Sequence, residues 1–175
     1  MEISYKQLLP KISTFIFDVD GVLTNGFVTI MPDGELVRTM NIKDGYALKT
    51  AVDKGYRVCI ISGGTNEGVR TRLTNLGIED IFLGAHQKVD QWEIIQNKYD
   101  LDPSEVLYMG DDIPDLPVLK KVGVATCPND AAPEIQKASH YISYKKGGEG
   151  CVRDIIEQVL RVQGKWTNET EAKFD

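Results

Sequence analysis

Short apolar runs separated by longer amphipathic stretches set the rhythm of this chain. Thr14 to Asp18, Arg57 to Ile61, Ile81 to Leu83, Val106 to Met109 and Gly123 to Ala125 are rich in β-branched and aromatic residues. They are short and bounded by turn residues, so they predict strands buried on both faces. Tyr46 to Lys54, Asn66 to Leu76, Val89 to Tyr99 and Leu116 to Val122 have helical spacing, Pro133 opens a short helix, and Gly150 to Gln163 predicts a last one. This alternation predicts an α/β fold, a three-layer Rossmann-like doubly wound parallel sheet.

One segment interrupts the alternation. Gly26 to Ile30 and Glu35 to Thr39 are strand-like and joined by Met31-Pro32-Asp33-Gly34, which predicts a β-hairpin flap over residues 26–39. The intervals between the acidic positions described below hold this hairpin and single helices, with no room for a separate cap domain. We read residues 1–163 as one domain and residues 164–175 as a polar, mobile C-terminal tail.

Composition narrows the function. A chain of 175 residues with 42% hydrophobic residues can bury one real core. Its formal charge of -6 argues against a nucleic-acid surface, which needs a basic stripe. The first residues lack a basic start followed by an apolar core, and no apolar stretch approaches the ~20 residues of a membrane span. The expectation is a cytoplasmic protein without a membrane partner. Cys59, Cys127 and Cys151 are odd in number and widely spaced, which favours buried free thiols over disulfides or zinc. With only His86 and His140, a histidine metal centre or a Ser-His-Asp triad has little material.

The most informative positions are acids at strand ends. Thr14 to Phe17 runs straight into Asp18-Val19-Asp20-Gly21. On an open α/β sheet the carboxyl ends of strands form the ligand crevice, so this pair lies where chemistry is placed. A solvated Asx turn is the bland alternative. A calcium loop is disfavoured, because Val22 and Leu23 stand where further oxygen ligands are needed. Val106 to Met109 ends likewise in Gly110-Asp111-Asp112-Ile113-Pro114-Asp115. If the two strands are neighbours, Asp18, the Asp20 carbonyl oxygen and Asp111 can supply oxygen ligands to Mg²⁺. Ser62, followed by Gly63 and Gly64, offers a hydroxyl and backbone N–H groups to an anion. Lys88 opens a helix, where a cation opposes the helix dipole.

This ordered set, Asp18-Val19-Asp20-Gly21-Val22-Leu23-Thr24, then Ser62, Lys88 and Gly110-Asp111-Asp112-x-x-Asp115, resembles the haloacid-dehalogenase superfamily of phosphohydrolases. The resemblance implies that Asp18 is a nucleophile forming an aspartyl-phosphate and that Asp20 is its acid and base. It implies that Ser62 and Lys88 neutralise the phosphoryl oxygens, Mg²⁺ is the cofactor, and Asp112 and Asp115 orient Lys88 or a metal-bound water. A narrower resemblance rests on the hairpin, Asn41-Ile42-Lys43-Asp44-Gly45-Tyr46, Arg72 and Gly147-Gly148-Glu149-Gly150-Cys151-Val152-Arg153. These resemble the capless, tetrameric family of 3-deoxy-D-manno-octulosonate 8-phosphate phosphatases of lipopolysaccharide precursor synthesis.

That family implies a small phosphorylated sugar-acid substrate and a homotetramer whose neighbouring subunits complete each site. It implies substrate contacts by Asp20, Asn41, Ile42, Lys43, Asp44, Gly45, Lys49, Gly64, Arg72 and Lys88, and makes Gly147 to Gly150, otherwise a flexible linker before the last helix, part of a tail that closes over a site. Gly64 departs from the pattern, since many members carry arginine there. Related phosphatases of nine-carbon keto-sugar acid 9-phosphates share the scaffold, some with glutamate at this position. A receiver-like phosphoacceptor domain is the competitor from another class. Its parts come in a different order, since here the middle strand ends in Ser62 and acids recur after Lys88. A noncatalytic assembly module is disfavoured because every expected catalytic side chain is present.

Overall fold

A computed structural model describes residues 4–166. The strands are β1 (Thr14–Phe17), β2 (Thr29–Ile30), β3 (Leu36–Val37), β4 (Arg57–Ile61), β5 (Asp80–Phe82), β6 (Val106–Met109), β7 (Val124–Cys127) and β8 (Tyr141–Ile142). The helices are α1 (Ile42–Asp53), α2 (Glu67–Asn75), α3 (Lys88–Tyr99), α4 (Leu116–Leu119), α5 (Pro133–Ala138) and α6 (Cys151–Val162), with short 3₁₀ turns between some of them. Six strands form one parallel sheet in the order β5-β4-β1-β6-β7-β8. The chain winds outward from β1 in one direction and then, from β6, in the other. The crevice between the carboxyl ends of β1 and β6 is therefore the topological switch point.

Alternation along β1 makes the three layers. Phe15 and Phe17 pack with Leu48, Leu73, Ile156 and Leu160 of α1, α2 and α6, whereas Ile16 packs with Trp92, Val118 and Ile135 of α3, α4 and α5. Burying one such aliphatic side chain contributes about 1.5–3 kcal/mol. Helix α6 buries Val152, Ile155, Ile156, Val159 and Leu160, which fixes it and the loop that enters it. Cys59, Cys127 and Cys151 are free and buried. No helix among the described residues is long and apolar enough to cross a membrane.

Several boundaries differ from the sequence expectation. The hairpin ladder is only two residue pairs long, because it is an isolated ribbon with no third strand to extend it. Helix α1 starts at Ile42 rather than Tyr46, since the Asn41 side chain accepts from the Lys43 N–H at 2.9 Å and caps it. Helix α4 stops at Leu119, where the Lys121 N–H bonds the Val118 carbonyl and turns the chain into β7. The edge strand β8 was not expected. The start of the tail is held: the Lys165 and Trp166 N–H groups donate to the Leu160 carbonyl, and Trp166 meets Tyr46 edge-on. The remainder of the expected mobile tail, residues 167–175, lies outside the described residues.

Candidate active site

The loop after β1 is tied on every side. The Leu23 and Thr24 N–H groups donate back to the Val19 carbonyl at 2.9 and 3.0 Å, and the Thr24 hydroxyl accepts from Gly21 and Gly26. Gly21 turns the chain at φ +86°, and a Cβ there would lie 1.9 Å from Asp111 Oδ2. Glycine thus brings the Asp111 carboxylate against the loop after β1. From below, a Cβ on Gly147 would fall 2.0 Å from the Gly21 carbonyl oxygen, while the Gly148 N–H donates to the Val22 carbonyl at 2.9 Å. Gly147 and Gly148 form a wedge beneath the loop carrying Asp18 and Asp20.

Lys88 is buried and holds two carboxylates, with Nζ at 2.7 Å from Asp18 Oδ2 and 2.6 Å from Asp115 Oδ1. Asp115 has both oxygens engaged. Oδ1 also accepts from Tyr108 Oη at 2.5 Å, and Oδ2 accepts from the Asp111 and Asp112 N–H groups at 3.0 and 3.2 Å. Asp115 therefore orients Lys88 and ties the turn after β6, and Asp112 caps its own 3₁₀ turn through Ile113. Burial would lower the Lys88 ammonium, but the two carboxylates outweigh it and raise its pKa. Burial and the Asp115 charge push Asp18 upward, and the same causes raise Asp111 to about 7. One lysine does not neutralise this crowd of acids.

The arrangement suits a hard divalent cation. Carboxylate oxygens of Asp18, Asp111 and Asp115 lie within 4.8 Å of one another, the donors are all oxygen, and the glycine at 21 leaves a cradle that a Cβ would fill. Because Asp115 is already saturated by its four donors, Asp18 and Asp111 are the carboxylates with coordination to spare. A bound cation would favour the ionised form of these acids and so oppose the upward shifts.

Across the crevice, Ser62 ends β4. Its hydroxyl accepts from the Gly64 N–H at 3.2 Å, while the Ser62 and Gly64 carbonyls accept from Ala85 and Gly84. Asp20 carries a contact that sequence reasoning missed. Arg38, from the end of the hairpin, donates Nε to Asp20 Oδ1 at 2.9 Å and Nη2 to Asp20 Oδ2 at 3.0 Å. Its partner is 18 residues away across a turn of unknown shape, so nothing local in the sequence marks it. Asp18, Asp20, Ser62, Gly64, Lys88 and Asp111 together line an open cavity of about 460 Å³.

The other expected substrate residues lie elsewhere in the single chain. Asn41, Ile42 and Lys43 line a second cavity of about 500 Å³ with Tyr144, Lys145 and Arg153. Asp44 and Gly45 face inward: Asp44 is 1% exposed and accepts from the Arg153 N–H at 2.7 Å, so it caps α6. Gly45 is covered by Arg72, whose Nη2 would lie 2.7 Å from a Cβ there. Arg72 borders a further cavity with Arg38 and Met40. Lys49 pairs with Asp53 on α1.

A switch-point crevice lined by acids, a buried lysine and a serine-glycine turn defines a phosphoryl-transfer class, and residues 27–123 match the family model described as haloacid dehalogenase-like hydrolase. The chain belongs to the haloacid dehalogenase-like hydrolases. Within that class it is similar to the 3-deoxy-D-manno-octulosonate 8-phosphate phosphatase KdsC of Salmonella typhi, 34% identical over 155 residues that cover 89% of this chain and 82% of the relative. Among solved structures it is similar to the 3-deoxy-D-manno-octulosonate 8-phosphate phosphatase of Yersinia pestis, with TM-score 0.89 and 31% identity over 91% of this chain and 86% of that one. The enzyme of that name from Moraxella catarrhalis, crystallised with magnesium, phosphate and KDO, gives TM-score 0.88 and 30% identity over 91% of both chains.

Proposed function

We propose that the chain is a Mg²⁺-dependent phosphomonoesterase that hydrolyses 3-deoxy-D-manno-octulosonate 8-phosphate to the free sugar acid and phosphate, in lipopolysaccharide precursor synthesis. The observation that carries the reading is Asp18, buried at the switch point and bonded to Lys88 beside Asp111, in a chain so similar to the Moraxella enzyme crystallised with magnesium, phosphate and KDO. A carboxylate oxygen of Asp18 attacks phosphorus as the bond to the sugar oxygen breaks, and Asp20 gives that oxygen a proton. Water then attacks the aspartyl-phosphate, giving its proton to Asp20 and releasing phosphate and the Asp18 carboxylate. Lys88, Ser62 and the Gly63-Gly64 turn hold the phosphoryl oxygens and screen Asp18 from the incoming anion. Asp18, the Asp20 carbonyl and Asp111 would hold Mg²⁺, which supplies further charge neutralisation.

The catalytic cavity is open, and Asn41, Ile42, Lys43, Lys49 and Arg72 do not line it. This fits a homotetramer in the cytoplasm in which neighbouring subunits bring such residues to one another's sites. Phe27, Ile30 and Ile42, each more than 70% exposed, supply an apolar surface for that assembly. The nine-carbon keto-sugar acid 9-phosphates are the second reading; Gly64 favours neither strongly, and its lack of the glutamate that some nine-carbon phosphatases carry puts the eight-carbon substrate first. Turnover of the sugar phosphates by wild type and Asp18→Asn tests the nucleophile. The variant is expected to lose essentially all turnover and to yield no acid-stable phosphoprotein, and full retained turnover would end the assignment.

A further inference from the structure

Gly64 poses a steric question that its backbone does not answer, because its φ lies outside the left-handed region and any residue could adopt it. The reason is space. A Cβ at Gly64 would sit 3.0 Å from Arg38 Nη2 and 3.0 Å from Asp20 Oδ2, so a side chain there would push into the fork joining the two residues. That fork is built on both sides. Arg38 donates Nη1 to the Leu36 carbonyl at 2.7 Å while Nε and Nη2 take the two oxygens of Asp20. Its side chain is 8% exposed, against 35% for Asp20. Asn66 holds the same hairpin to the start of α2 through the Leu36 carbonyl at 3.3 Å.

From this geometry we infer that Arg38 is the positioning residue of Asp20, and that Gly64 is the room this device needs. The inference rests on the proposed role of Asp20 as proton donor and acceptor. A general acid must meet the leaving oxygen within about 2.6–3.2 Å, and an aspartate at the rim of an open cavity has several rotamers available. A bidentate guanidinium fixes the plane of the carboxylate. It uses one acceptor site on each oxygen and leaves the remaining lone pairs for the substrate. The anchoring cation thus comes from the flap, so the hairpin is coupled to the chemistry as well as to assembly.

The test compares kcat/KM for phenyl phosphate and 4-nitrophenyl phosphate, two esters of similar shape whose leaving groups differ in their need for a proton. This ratio reports steps up to departure of the leaving group. Arg38→Met is expected to cut activity on phenyl phosphate at least about tenfold further than on the nitrophenyl ester. Arg38→Lys, which keeps charge without the fork, and Gly64→Ala are expected to shift the ratio the same way by less. Arg38→Met with Gly64→Ala should shift it no further than Arg38→Met alone, since both act on one contact. Equal losses on both esters in all three single variants would reduce Arg38 to a strut and overturn the inference. Asp20→Asn separates the layers: if it leaves the ratio unchanged, the role of Asp20 itself fails, and if it shifts the ratio while the Arg38 variants do not, only the role of Arg38 fails.

Discussion

Replacing Gly21 by alanine should damage the metal site and the fold by separate, measurable amounts. The new Cβ would lie 1.9 Å from Asp111 Oδ2 and 2.4 Å from its Cγ. A relaxed C···O contact needs ~3.3 Å, so the carboxylate must retreat by more than ~1 Å. Mg²⁺ bonds are ~2.0–2.1 Å and tolerate little distortion, so one ligand is lost or strained. We expect the Mg²⁺ concentration for half-maximal activity to rise at least ~10–100-fold, the range seen when even an outer partner of a metal site is removed. The backbone adds its own cost: φ is +86° at Gly21, where a Cβ is worth roughly 1–2 kcal/mol of strain. Gly55 isolates that part, with φ +84° and nothing within 4 Å of its Cβ position. Gly55→Ala should therefore lose the same roughly 1–2 kcal/mol in urea unfolding with an unaltered Mg²⁺ titration. Phosphate release against Mg²⁺ concentration, with unfolding in EDTA, reads both quantities. A Gly21→Ala enzyme with the wild-type Mg²⁺ midpoint would refute the placement of Asp111 on the metal.

Three further expectations follow from buried charge and exposed apolar surface. Lys88→Met strands the buried Asp18 and Asp115 carboxylates and should cost about 3–5 kcal/mol in EDTA, partly restored by Mg²⁺; a loss under ~1 kcal/mol would contradict the ion-pair geometry. Burial raises Asp44 from 3.8 to about 6, offset only in part by the Arg153 and Gly150 N–H groups. The folded state then holds the extra proton, so this group's contribution falls as pH rises from about 4 to 6. Asp44→Asn keeps an acceptor for the cap and should gain up to ~3 kcal/mol at pH 7.5 and almost nothing at pH 4, read by urea unfolding at the two pH values. Ile30→Asp with Phe27→Asp should shrink the species seen by analytical ultracentrifugation and lower activity together; a full-size, fully active double variant would remove the hairpin from the assembly surface.

The acids that line the crevice were legible because each follows an apolar strand at the end where a parallel sheet gathers ligands. Asp18 and Asp111 needed only the order of strands to meet, and that order is the ordinary one for alternating β and α units. Residues whose meaning depends on distant partners were not legible. The family resemblance implies substrate contacts for Asn41 to Asp44 but not the local fold: Asn41 starts α1 one turn before the expected Tyr46 and carries Asp44 into the core, where its partner is the N-terminus of α6, more than 100 residues on. Gly147 and Gly148 read as flexible, while their lack of side chains is what lets them press on Gly21 and Thr24. Arg38 stands on an expected flap, but its reach to Asp20 depends on how the ribbon leaves the sheet. Edge strand β8 comprises two residues, too short for alternation to show.

Specificity constants for the eight-carbon 8-phosphate and a nine-carbon 9-phosphate, measured side by side with saturating Mg²⁺, test the central claim most directly. The proposed function predicts a preference of at least about a hundredfold for 3-deoxy-D-manno-octulosonate 8-phosphate, worth ~2.7 kcal/mol in transition-state stabilisation. A hundredfold preference for the nine-carbon ester, or hydrolysis of neither, would contradict it.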